Sequence, residues 1–348
     1  MAVKNSQLII LGNGFDLSCG LKSSYKDFFE WHFKDTIEEE KRLNEKNTYG
    51  SYQSFDLAFD MENNWDKIFW SKKPSETYRY WADIESVIKE TVETIREKET
   101  EFFTRAFSDL YLLEDRFIEF MNHQLSTCKD YRANAHQLLG ELVVSEYIFR
   151  PLDFRFERQD YYKARNEFID NKENATEILS FNYTNQFNFR SFANPRIFRN
   201  VHGSLADKNI IFGIDGHKLN NPLTVGFTKT YRIMTHQKIG FEISPDIQYI
   251  KFFGHGLAEA DYSYFQSIFD GVGLYGGKTK LIFYYNNYNS NQARDILENQ
   301  QKAVHQLIQI YGTTLDNEDH GSNLLHKLLL EGRLEIKELS VKSIIEEK

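Results

Sequence analysis

Leu8-Ile9-Ile10-Leu11-Gly12-Asn13-Gly14-Phe15-Asp16-Leu17 is the stretch that decides the fold. An uninterrupted apolar run this close to the N-terminus, bounded by glycine, reads as a buried strand of a parallel sheet. Glycine just past such a strand lets the backbone turn tightly and approach a ligand. A helix opening there points free N–H groups into the turn, which favours an anion, usually a phosphate. The rest of the chain is therefore expected to complete a nucleotide site at Gly12, Asn13, Gly14, Phe15 and Asp16. The dinucleotide fingerprint Gly-x-Gly-x-x-Gly is incomplete, since Leu17 holds its third position and the next glycine is Gly20. A carboxylate beside a diphosphate is repulsive, so Asp16 is expected to cap the turn or to bond a sugar hydroxyl or base amide.

Working outward, Ser24 followed by Asp27 marks a helix start, with Tyr25, Phe28 and Phe29 on one face. From about residue 51 to 174 the pattern is mainly helical. Trp81, Ile84, Ile88 and Ile95 recur at helical spacing, as do Leu113, Phe117, Phe120 and Met121. No glycine occurs between Gly50 and Gly140. Strand patterns return at 177–181, 198–201, 209–212, 249–253 and 280–285, with helical patterns at 257–269 and 291–311. This alternation argues an α/β fold with a parallel sheet. The expected organisation is an α/β nucleotide-binding core from residues 1–34 and 175–348, with a helical insertion at 35–174.

A chain of 348 residues can bury a large core. Its net charge of −9 disfavours broad nucleic-acid binding. Cys19 and Cys128 are too few for a four-cysteine zinc site or a disulfide framework. No apolar run is long enough to span a membrane and the N-terminus has no signal-peptide core, so a cytoplasmic protein is expected, with its oligomeric state open.

Several expected strands end in polar turns, and ligands of open parallel sheets bind at the carboxyl ends of strands. Asn182 can donate to and accept from ribose hydroxyls or a carboxamide, or can serve as a plain turn residue. His202, before Gly203-Ser204, is a candidate general base or a backbone-bonded turn histidine. Gly254-His255-Gly256 repeats the physics of the first turn; His255 could take a phosphate or hydroxyl, and Asp261 could complement a helix dipole. Gly276-Gly277-Lys278-Thr279 is no P-loop, because Val272 stands where its first glycine belongs and a strand follows. The histidines show no compact metal-ligand spacing, and no metal is expected.

Ile10 to Leu17 with Gly20 to Phe28, then Trp81-Ala82-Asp83-Ile84-Glu85, Ser180-Phe181-Asn182-Tyr183-Thr184, Val201-His202-Gly203-Ser204 and Gly254 to Asp261, resemble in order the motifs of the AbiH family of phage abortive-infection proteins. That family in turn looks distantly like the sirtuin-type, Rossmann-like NAD-binding fold. Gly12-Asn13-Gly14 falls at the sirtuin Gly-Ala-Gly, Phe181-Asn182-Tyr183-Thr184 at Gln-Asn-Ile-Asp, and His202-Gly203 at His-Gly. The resemblance implies antiphage defence through hydrolysis of NAD at the nicotinamide–ribose bond. Asn182 and His202 would be catalytic, and Gly12 to Asp16, Gly254, His255 and Asp261 would bind the nucleotide. A phage-derived or host trigger protein is the implied partner. Thr184 in place of the sirtuin aspartate keeps open a non-catalytic nucleotide-sensing or partner-binding module. A nuclease or other toxin is disfavoured by the acidic balance and the lack of a carboxylate–metal motif.

Overall fold

The computed structural model describes residues 6–46, 61–72, 84–94, 100–147, 163, 166–168, 170–171, 174–185, 195–216, 222–236, 240, 242–287 and 293–339. Its strands are β1 (Ser6–Leu11), β2 (Ala175–Ser180), β3 (Ile197–Asn200), β4 (Tyr249–Phe253), β5 (Lys280–Tyr285) and β6 (Leu334–Glu338). The helices are α1 (Gly14–Ser18), α2 (Tyr25–His32), α3 (Lys34–Lys46), α4 (Asn64–Ser71), α5 (Ile84–Thr94), α6 (Thr100–Thr127), α7 (Tyr131–Val144), α8 (Lys229–His236), α9 (Tyr262–Gly271), α10 (Ala293–Gly312) and α11 (Glu318–Leu330). Trp81, Asp83 and Ile95 lie outside the described residues.

The strands form one sheet in the order β3-β2-β1-β4-β5-β6, and every neighbouring pair is parallel. β1 is buried at every position, as a central strand covered on both faces must be. Leu8 and Ile10 point to the face where Phe252, Leu281 and Phe283 pack with Phe265 and Phe269 of α9, Leu307 and Ile308 of α10, and Leu324 and Leu328 of α11. Gln7 and Lys251 take the other face. Gln7 Nε2 donates to Val143 O at 3.0 Å, and Lys251 Nζ donates to Leu142 O at 2.7 Å and Val143 O at 3.3 Å. These carbonyls belong to the last turn of α7, where the helix itself supplies no donor.

The chain divides into two units. The first comprises Met1–Leu21, Cys128–Val201 and Ile239–Lys348; the second comprises Lys22–Thr127 and His202–Lys238. These divisions fall at points other than residues 34 and 174. Every described helix or strand that begins within 35–174 is a helix. The second unit has an aromatic core. The ring of Phe28 lies 5.2 Å from Phe117, and Phe117 lies 5.2 Å from Phe212. Trp65 Nε1 donates to Ala106 O at 2.7 Å. The Ser24–Asp27 start of α2 is a complete capping box.

The strand expected at 209–212 is not formed, and the reason is local. Phe212 N donates to Glu114 Oε1 at 2.6 Å, and Phe212 O accepts from Arg232 Nη1 at 3.0 Å. A buried ion pair therefore satisfies the backbone that a neighbouring strand would have served. The helix expected from 257 begins later, with a 3₁₀ turn at Glu259–Asp261 before α9.

Candidate ligand site at the carboxyl edge of the sheet

β1 and β4 are neighbours, and their exit turns lie against each other. Gly12 N donates to Phe253 O at 3.0 Å and Gly14 N to Gly254 O at 2.7 Å. A Cβ on Gly12 would lie 2.4 Å from the Cα of His255. A Cβ on Gly254, whose φ is +69°, would lie 2.2 Å from Phe15 N. Glycine is thus demanded by backbone meeting backbone, beyond the tight turn expected after the strand. Phe15 is buried edge-on against Phe253, with centroids 6.2 Å apart. Asn13 precedes α1 in right-handed helical geometry and makes no side-chain cap.

Asp16 sits on α1 with its carboxylate turned inward, 1% exposed. Tyr131 Oη donates to Oδ1 at 2.7 Å; Thr184 Oγ1 lies 3.1 Å from Oδ1 and 2.9 Å from Oδ2. The Asn182 side chain also bonds this carboxylate. Burial raises the Asp16 pKa to about 6 against the opposing pull of the bonds from Tyr131, Thr184 and Asn182.

Asn182 is itself 4% exposed. Its turn is braced by Asn200 Nδ2, which donates to Asn182 O at 2.6 Å and Thr184 O at 3.0 Å. Asn182 N donates to Ser180 Oγ at 3.2 Å. The amide oxygen Oδ1 is buried with no hydrogen-bond partner. The exit of β5 carries the same feature. Asn286 Nδ2 donates to Ser18 Oγ at 3.1 Å, while Oδ1 of Asn286 and of Asn287 are buried without partners.

The His255 ring is held at Nδ1. Nδ1 accepts from Leu257 N at 2.9 Å, which leaves the proton on Nε2, facing Asp261 Oδ2 at 3.5 Å. Its ring stands edge-on to Phe181 at 4.6 Å and Phe265 at 5.0 Å. Through Nδ1 this histidine braces the β4 turn. Asp261 accordingly faces an imidazole.

His202 belongs to the second unit, and is buried there. Its carbonyl accepts from Ile211 N at 2.9 Å. Gly203 has φ of +81°, and a Cβ on it would fall 2.0 Å from Asn209 O. Ser204 N donates to Asn209 Oδ1 at 2.8 Å. The glycine after His202 is thus required by its own turn. Glu85 pairs with the buried Lys229 at 2.6 Å within the same unit.

The structure therefore brings Gly12, Gly14, Phe15, Gly254 and His255 together, joins Asp16 to Asn182, and sets Asp261 against His255. Tyr131, Asn286 and Asn287 escaped the sequence reading. Tyr131 opens a helix far along the chain and carries no local signal. Asn286-Asn287 follows a strand as Asn182 does, and that analogy could have found it.

These features define an α/β protein with a six-stranded parallel sheet whose exit turns hold a buried carboxylate and buried, unpartnered amide oxygens. A model of the family described as bacteriophage abortive infection AbiH matches residues 8–285, and the chain belongs to that family of phage-defence proteins. No curated protein and no solved structure matches the chain.

Proposed function

We propose that this chain carries out abortive infection by binding NAD at the carboxyl edge of its sheet and hydrolysing the nicotinamide–ribose bond. The observation that carries the reading is topological. Strand order reverses between β1 and β4, with β2 and β3 on one side and β5 and β6 on the other. Dinucleotides bind at such a reversal, beyond the carboxyl ends of the strands, in sheets of this order. The buried Asn182 stands at that edge, beside β1. The Rossmann-like and sirtuin-like reading of the motifs agrees with this placement.

In the proposed reaction, nicotinamide leaves with the bonding electrons and the ribose develops oxocarbenium character. Water adds to the anomeric carbon, and its proton passes to a base and then to solvent. Asn182 would hold the ribose or the water. Incubating purified protein with NAD⁺ and following nicotinamide by chromatography tests the reading. Release is expected from wild type, with turnover lowered roughly a hundredfold or more in Asn182→Ala. Unchanged turnover in a folded Asn182→Ala removes that role.

A second reading has its own support. Thr184 commits its hydroxyl to Asp16, and no carboxylate occupies that position. A nucleotide sensor without turnover would bind NAD⁺ and release no nicotinamide even with its trigger present.

A further inference from the structure

Asn182 is held in a way that its motif does not explain. An ionised carboxylate only accepts hydrogen bonds, so the amide atom bonded to Asp16 must be Nδ2. The two hydroxyls at Asp16, from Tyr131 and Thr184, already point their hydrogens at the same carboxylate. Neither is left to turn toward Oδ1, which remains buried and unpartnered. A buried acceptor without a donor is costly, and a ligand that brings the donor relieves the cost.

We infer that Asp16 is a positioning residue that locks the Asn182 amide with Oδ1 toward the ligand, so that the site selects a ligand presenting a hydroxyl or amide donor there. This inference rests on the nucleotide reading of the same edge. NAD offers such donors in its ribose hydroxyls and its carboxamide. The titratable groups facing Asp16 are Tyr131 from α7 and Cys19 just past α1; burial pushes both far up, so both stay neutral near pH 7. The lock therefore depends on one ionisation, that of Asp16.

The test exchanges the two groups in the full-length protein and reads NAD⁺ affinity by calorimetry. In Asp16→Asn the new amide keeps its oxygen for Tyr131 and Thr184 and turns its NH₂ to Asn182. Asn182 then flips and shows the ligand a donor, and binding is expected to weaken about tenfold or more. Asn182→Asp sets two carboxylates side by side and weakens binding too. The double variant Asp16→Asn/Asn182→Asp restores an acceptor toward the ligand, and is expected to bind within about threefold of wild type, a non-additivity that simple loss of structure would not give.

A folded Asp16→Asn protein that binds like wild type, or a double variant no better than the weaker single, overturns the inference. If wild type does not bind NAD⁺, the nucleotide reading falls and the lock is judged without ligand. The Asn182 side-chain amide protons, assigned by their loss in Asn182→Asp, should exchange slowly in wild type and fast in Asp16→Asn. Equal exchange overturns the lock.

Discussion

At the scale of single residues, Asp16 states its role through pH. Its folded pKa of about 6 lies above the usual carboxylate value of 3.8. Between those values the folded chain holds a proton that the unfolded chain has released. Stability from this group is thus fully present below about pH 4 and is lost as pH rises through 6. The cost of burying the charge at neutral pH is about 3 kcal/mol. Urea melts at pH 4.5 and 7.5 should show about 2 kcal/mol of it, since the group is already partly titrated at pH 4.5, and Asp16→Asn should abolish it. A wild type and an Asp16→Asn protein with the same slope would contradict it. Gly12 makes a different kind of prediction. A Cβ there meets main chain that no side-chain rotation can clear, so Gly12→Ala should cost about 3 kcal/mol or more and lower the melting temperature whether or not ligand is present. The same crowding makes a valine at Gly14, 2.7 Å from the Cα of Gly254, a folding defect before it is a binding defect.

At the scale of elements, α7 ends on the sheet. Lys251 puts an ammonium against its last carbonyls, where a helix dipole favours a cation. Burial nonetheless lowers the Lys251 pKa to about 7. The unfolded lysine keeps its proton to about pH 10, so the folded chain binds fewer protons in between and stability rises as pH goes from 7 towards 10. Lys251→Met should flatten that rise in denaturant melts. In the second unit, Glu114 and Arg232 pair through both carboxylate oxygens, at 2.5 and 2.7 Å, under the ring of Tyr111. Glu114→Ala leaves the Arg232 charge buried and should cost about 3–5 kcal/mol.

How much of this was legible depends on where the determinants sit. β5 announces itself, because a central strand buried on both faces is an apolar run between turns; β4 reads as a strand from Tyr249, Ile250, Phe252 and Phe253 despite Lys251 at its centre. β6 did not, since the alternation of Leu334 and Ile336 with Glu335 and Lys337 that marks an edge strand runs over only a few residues. Residues 209–212 read as a strand for their apolar run alone; the partner that claims their backbone is an ion pair from residues 114 and 232. The site was legible as a set of strand exits. The bonds that assemble it were not, because Asp16 finds Tyr131 and Thr184 across 115 and 168 positions of chain.

At the scale of the whole molecule, the first unit is drawn from three stretches of chain and the second from two. A fragment ending at residue 238 would carry β1, β2 and β3 but none of β4 to β6. It also carries the whole second unit, so its melt should have the unfolding enthalpy of that unit alone; a transition with the enthalpy of the full chain would mean that half the sheet suffices. The register of β1 has a further consequence, for the ribosome rather than for the finished protein. Leu8 pairs with Glu177 on one side and Ile250 on the other. β1 is made before both of its partners and must wait for them. At roughly 5–20 residues per second, the second partner appears about 12 to 50 seconds after β1 itself. For that interval Leu8-Ile9-Ile10-Leu11 is a naked, sticky edge, and the nascent chain needs either a chaperone or a decoy contact with its own early helices to stay soluble until it can close around its first strand.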